Sequence, residues 1–179
     1  MDGQGDLWVF GYGSLMWDPG FEHVERRLAR LEGHARRFCL RSVRYRGTPE
    51  APGLVLGLDP APEAACEGVA FRVAPALREP VVAYLREREL VTYAYREAVL
   101  PVRLQEDGRT VEALTYVVDP DHTQYAGRLS PAEQAAIIAT RHGPKGSNRA
   151  YFDNTLAHLA ECGIADAELE ALARLVRAF

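Results

Sequence analysis

Little in this sequence marks a secreted, membrane-bound or metal-built protein. Only three of its 179 residues are cysteines (Cys39, Cys66 and Cys162). They lie far apart with no Cys-x-x-Cys pair, so a disulfide framework is not expected and reduced, core-filling thiols in a cytosolic protein are. No apolar run approaches the roughly 20 residues that a membrane span needs. The opening Met-Asp-Gly-Gln-Gly-Asp is acidic and polar, unlike a signal or transit peptide. Positive charge is not in surplus either. The net charge of −4 disfavours nucleic acid as a partner, and no stacking aromatics interleave with the basic residues.

Several catalytic signatures are missing as well. Ser14 follows Gly13, but Met16 stands where Gly-x-Ser-x-Gly requires glycine. Gly11-x-Gly13 lacks the third glycine and the helix of a dinucleotide fingerprint, and there is no Walker A motif. His23, His34, His122, His142 and His158 are scattered, without metal-ligand spacing. Neither a cofactor nor a metal is implied.

What is present is globular: 47% hydrophobic and 26% charged residues, enough chain for one domain over residues 1–179 with a proper core. The apolar run Leu7–Phe10 predicts a buried strand. Phe21–Leu31 reads as a short helix or loop, and the alternation from Arg36 to Arg44 as a strand. Turn chemistry follows from Arg46 to Gly53. Leu54–Leu58 is a strand ended by Asp59-Pro-Ala-Pro, and Glu67–Val73 another, in which Gly68 marks a bulge or close approach. Pro75–Leu90 is helical, Tyr93–Leu104 and Thr110–Val118 a hairpin. Ser130-Pro-Ala-Glu133 is a capping box with proline at the first helical position, opening a helix to His142. Helices over Asn148–Cys162 and Ala167–Ala178 complete the chain. Strands first and helices later predict an α+β fold with a small, mainly antiparallel, barrel-like sheet flanked by helices.

Three stretches carry candidate chemistry. Gly11-Tyr12-Gly13-Ser14 after the first strand predicts a turn with φ > 0 whose successive N–H groups, Tyr12 to Leu15, bind a carboxylate or a developing oxyanion; a ligand-free corner is the plain alternative. Glu89 lies four residues after Leu85 and seven after Val82, on the apolar stripe of its helix. An inward carboxylate is either half of an ion pair, with Arg88 or an arginine from Arg41 to Arg46, or a general base lifted toward neutrality by desolvation. The third stretch, Gly143-Pro-Lys-Gly-Ser-Asn-Arg-Ala-Tyr151, is a helix–helix corner, or else places the Tyr151 hydroxyl beside the glycine loop. Arginines crowd 26–46, where one or two could grip an anionic small molecule and the others form a solvated face.

Together these stretches resemble the ChaC-type γ-glutamylcyclotransferases. The resemblance rests on Val9-Phe-Gly-Tyr-Gly-Ser-Leu15, Arg46-Gly47 with Pro52-Gly53, Tyr84-Leu85-x-x-Arg88-Glu89, and Gly143-Pro-x-Gly146-x-Asn148-x-x-Tyr151. It implies a γ-glutamylcyclotransferase-like fold and cleavage of glutathione to 5-oxoproline and cysteinylglycine without metal or cofactor. It also implies Glu89 as the catalytic glutamate and Tyr12, Gly13, Ser14 and Leu15 as the γ-glutamyl-holding loop. Arg46 and Tyr151 are weaker candidates for contacting substrate carboxylates. Phe152 stands where leucine is common in the family, and Tyr45 where some members have histidine. The same residues are compatible with a cyclotransferase for other γ-glutamyl-amino acids or γ-glutamylamines. A non-catalytic regulator or anion-binding module would use the loop but has no use for an inward Glu89.

Overall fold

A computed structural model describes residues 5–92 and 94–179. Strands β1 (Leu7–Gly11), β2 (Glu25–Ser42), β3 (Gly53–Val73), β4 (Tyr95–Leu104) and β5 (Thr110–Val118) close into a barrel in the order β1-β3-β2-β4-β5. The β1–β3, β2–β4 and β4–β5 pairings are antiparallel, and β1 runs parallel to β5. Helices α1 (Arg78–Glu89), α2 (Pro131–Thr140), α3 (Asn148–Glu161) and α4 (Ala167–Arg177) complete the α+β fold. No helix among the described residues is long and apolar enough to cross a membrane.

Two compact units can be distinguished, one formed by the chain up to Arg36 with Leu58–Asp119, the other by Arg37–Gly57 with Pro120–Phe179. In the first unit β1 is buried on both faces, which explains its unbroken apolar run. Trp8 and Phe10 join Leu31, Leu58, Val102 and Leu104 in one cluster. Leu7 and Val9 belong to another, with Val81 and Leu85 of α1 and Leu114 and Tyr116 of β5. Each large apolar side chain of α1 sealed there contributes about 1.5–3 kcal/mol. In the second unit α2 packs against α3 and α4. The predicted Ser130–Glu133 capping box opens α2, while Ser147 and Asp166 cap α3 and α4. Cys39, Cys66 and Cys162 are free thiols, and the first two are buried.

Four expectations need correction. Phe21–Leu31 holds no helix: β2 begins at Glu25 and continues to Ser42, the positive φ of Gly33 (75°) falling inside it. Asp59-Pro-Ala-Pro does not end a strand, because β3 runs unbroken from Gly53 to Val73. Pro60 and Pro62 are exposed and two apart, so both missing N–H groups fall on one edge of the strand and the other edge stays intact. Helix α2 stops at Thr140 rather than His142. His142–Gly143 and Gly146–Ser147 pair as a two-rung hairpin, with Gly146 at φ 108°. The fourth concerns the glycine turn, described below. Tyr93, the expected start of β4, and the first four residues of the acidic N-terminus lie outside the described residues.

Candidate active site

Neither glycine of the stretch after β1 has a positive φ. Gly13 has φ −133° and ψ −131°, and Gly11 is not among the glycines with positive φ. Space is what requires glycine at position 11: a Cβ there would stand 3.0 Å from the Leu15 Cβ and 3.2 Å from the Met16 nitrogen. Ser14–Met16 form a 3-10 turn in which Met16 donates to the Gly13 carbonyl (2.9 Å) and Asp18 to that of Ser14 (2.8 Å). The amides of Ser14 and Leu15 open this turn, so the turn itself offers them no acceptor. The donors expected of a glycine concavity therefore come from the mouth of a 3-10 turn. Tyr12, Gly13 and Leu15 are buried, and Ser14 is exposed.

A cation fixes this loop from below. Arg36 of β2 is 3% exposed and donates from Nε to the Tyr12 carbonyl (2.6 Å) and from Nη2 to the Glu67 carbonyl. Burying a guanidinium is costly unless its donors are met, and here backbone oxygens meet them. Gly68 allows β3 to pass beneath, since a Cβ there would run into the Gly11 carbonyl and sit 2.7 Å from the Phe10 ring. The close approach expected at Gly68 is thus what the structure shows.

Glu89 ends α1 on the side that carries Val81 and Leu85, and its side chain is 17% exposed. Burial pushes its carboxyl above the usual range, and the neighbouring Arg88 opposes that shift. Arg88 is the ion-pair partner, Nε to Glu89 Oε1 at 3.2 Å. The same guanidinium donates to the Ser14 hydroxyl (2.9 Å), the Asp18 carbonyl (2.7 Å) and the Tyr84 hydroxyl (3.1 Å). One arginine therefore joins the glutamate to the turn. The ion pair and the carboxyl lifted by burial are features of the same side chain.

Arg46 and Tyr151 belong to the second unit and meet there. The Arg46 guanidinium carbon lies 5.3 Å from the Tyr151 ring centroid, and its Nη1 donates to the Lys145 carbonyl at 2.7 Å. The Tyr151 hydroxyl accepts from the Leu56 amide at 3.4 Å. Asn148 is fully buried and bonds both the N–H and the C=O of Leu54, each at 2.7 Å. The motif from Gly143 to Tyr151 thus braces the start of β3. Of the crowded arginines, Arg27, Arg30 and Arg37 pair with carboxylates at the surface, as expected of a solvated face.

Sequence reasoning missed two participants. Arg36 looked like one arginine among eight. Its signal was its parity: in a strand, Arg36 shares a face with Phe38 and Leu40, both buried. Arg88 was read only as a partner for Glu89, whereas it also holds Ser14, a contact across 74 positions that no local pattern encodes.

The ChaC-like protein family matches residues 7–179. A glutathione-specific γ-glutamylcyclotransferase of Escherichia coli (strain K12) is 36% identical over 169 residues, 94% of this chain and 72% of that protein. Glutathione-specific γ-glutamylcyclotransferase 1 of Homo sapiens is 34% identical over 176 residues, covering 96% and 78%. Among solved structures, a yeast γ-glutamylcyclotransferase specific to glutathione superposes with a TM-score of 0.83 at 28% identity, covering 97% of this chain and 96% of that one. With its closed barrel, its turn after β1 and a match along nearly its whole length, the chain belongs to the ChaC-like protein family.

Proposed function

We propose that this protein is a γ-glutamylcyclotransferase that cleaves glutathione to 5-oxoproline and cysteinylglycine. The α-amine of the γ-glutamyl group attacks its own γ-carbonyl: the N–C bond of a five-membered ring forms, the amide bond to cysteine breaks, and no water is consumed. Because nucleophile and carbonyl share one molecule, much of the entropic barrier is already met. What remains is proton transfer and oxyanion stabilisation. A substrate ammonium titrates near 8 and an ordinary glutamate near 4.3, so a carboxylate lifted by burial is the better-matched acceptor.

Glu89 takes the proton from the attacking amine and returns it to the departing cysteinyl nitrogen. Amides of the Tyr12–Leu15 loop receive the substrate carboxylate or the oxyanion, and one donor aimed at the oxyanion contributes roughly 3–4 kcal/mol. Residues 1–179 act as one domain on a small molecule in the cytoplasm, where the three thiols stay reduced.

The observation that carries this reading is the half-buried Glu89, with its raised pKa, tied through Arg88 to Ser14. An anion-binding module has no need of such a base. Glu89→Gln is expected to lose at least about a hundredfold in 5-oxoproline release from glutathione while keeping the parent's circular dichroism. Near-parental turnover overturns the mechanism. Following γ-glutamylalanine beside glutathione decides the substrate, because faster release from the dipeptide would assign the protein to other γ-glutamyl compounds.

A further inference from the structure

Arg88 reaches from α1 to the loop that carries the 3-10 turn. Its Nη2 donates to the Ser14 hydroxyl at 2.9 Å. Its Nη1 donates to the carbonyls of Asp18 (2.7 Å) and Pro19 (3.4 Å) and to the Tyr84 hydroxyl (3.1 Å). The Nε pairs with Glu89 Oε1 at 3.2 Å. Gly20, at φ 72°, lets the same loop lie against Tyr84, since a Cβ there would run into the phenol oxygen. All of these residues belong to the first compact unit. A rigid, planar fork met at so many points keeps its Nη2 on Ser14.

The partners fix the direction of the bond to Ser14. A guanidinium offers donors and no acceptor, whereas a hydroxyl has one proton and two lone pairs. Arg88 therefore occupies a lone pair of the Ser14 oxygen, and the hydroxyl proton points elsewhere. Among the described residues no acceptor takes it. Ser14 is exposed, and the amides of Ser14 and Leu15 open the same turn. We infer that Arg88 is a positioning residue that turns the Ser14 O–H outward, where it donates to the α-carboxylate of a γ-glutamyl substrate. This rests on the γ-glutamylcyclotransferase reading and assigns a substrate group to the Ser14 side chain. The α-amine and α-carboxylate share one carbon, so the group that holds the carboxylate must stand close to the base. Ser14 and Glu89 are bound to the same guanidinium. The other anion at hand is the oxyanion formed at the γ-carbonyl. Stabilising that passing charge calls for donors in a site closed to water, which an exposed hydroxyl does not provide. A permanent carboxylate gains from a donor whose oxygen a cation already polarises.

The test measures binding by calorimetry in a Glu89→Gln background, with two ligands. One is glutathione; the other is γ-aminobutyryl-cysteinylglycine, which keeps the amine, the carbonyl it attacks and the cysteinylglycine half but lacks the α-carboxylate. Ser14→Ala is expected to weaken glutathione about tenfold, as for a hydrogen bond to a charged group, and to leave the analogue within about twofold. Ser14→Thr keeps a hydroxyl and restores glutathione binding. Arg88→Gln gives the hydroxyl an acceptor to turn to; it weakens glutathione at least as far as Ser14→Ala, and adding Ser14→Ala to it costs nothing more. Equal losses for the two ligands, no loss for glutathione, or additive losses from Arg88→Gln and Ser14→Ala overturn the inference. So does an absence of glutathione binding to the Glu89→Gln protein, and turnover by the parent then tells whether the activity falls with it. Because affinities are read without turnover, the inference can fail while ring closure stands, and near-parental turnover by Glu89→Gln removes the assigned base without touching these affinities.

Discussion

A carboxylate held away from water carries a cost in stability, and for Glu89 its sign can be worked out. Burial raises its pKa in the folded chain, so the folded state holds the proton more tightly than the unfolded one. Below the unfolded value both states are protonated and the cost is absent; above the folded value it is complete. Glutamine mimics the protonated form. Glu89→Gln is therefore expected to unfold at a higher temperature than the parent at about pH 7.5, with the two converging near pH 3.5. Calorimetry at both pH values checks it, and an equal or lower midpoint for the variant at pH 7.5 contradicts the assigned burial. That Glu89 turns inward was legible from its spacing to Leu85 and Val82. The hold on it was not, because the Arg88 that pairs with it also reaches Ser14 across 74 positions.

The strands and helices differ in how openly their limits are written. The helices announce themselves through local chemistry: Ser130 and Glu133 close a capping box, Asp166 caps α4, and Gly163 follows α3 at φ 72°. The long strands hide theirs. Pro60 and Pro62 look like a stop, yet β3 passes through both, because a strand can lose donors on one edge without losing its place in the sheet. Gly68 is the residue on which the crossing of β1 and β3 depends. Gly68→Ala drives a methyl against the Gly11 carbonyl and the Phe10 ring, and overpacking of this kind costs about 1–3 kcal/mol. Urea unfolding should show the loss as a lower midpoint with an unchanged m-value, accompanied by weaker turnover, since Gly11 begins the turn that carries Ser14.

Each compact unit draws on two separated lengths of chain, and β2 and β3 contribute residues to both. Neither unit is a continuous segment that could be cut free, so a single cooperative unfolding transition is expected, with far- and near-ultraviolet circular dichroism superimposing. Two resolved transitions would show that the units melt independently. The free thiols add that reductant leaves the midpoint where it is. Beneath the turn, meanwhile, sits Arg36, clasping the carbonyls of Tyr12 and Glu67. The cradle proposed for the γ-glutamyl group is thus braced from the strands beneath it, and an inhibitor chemist can treat it as a mould already cast rather than a loop that forms around its guest.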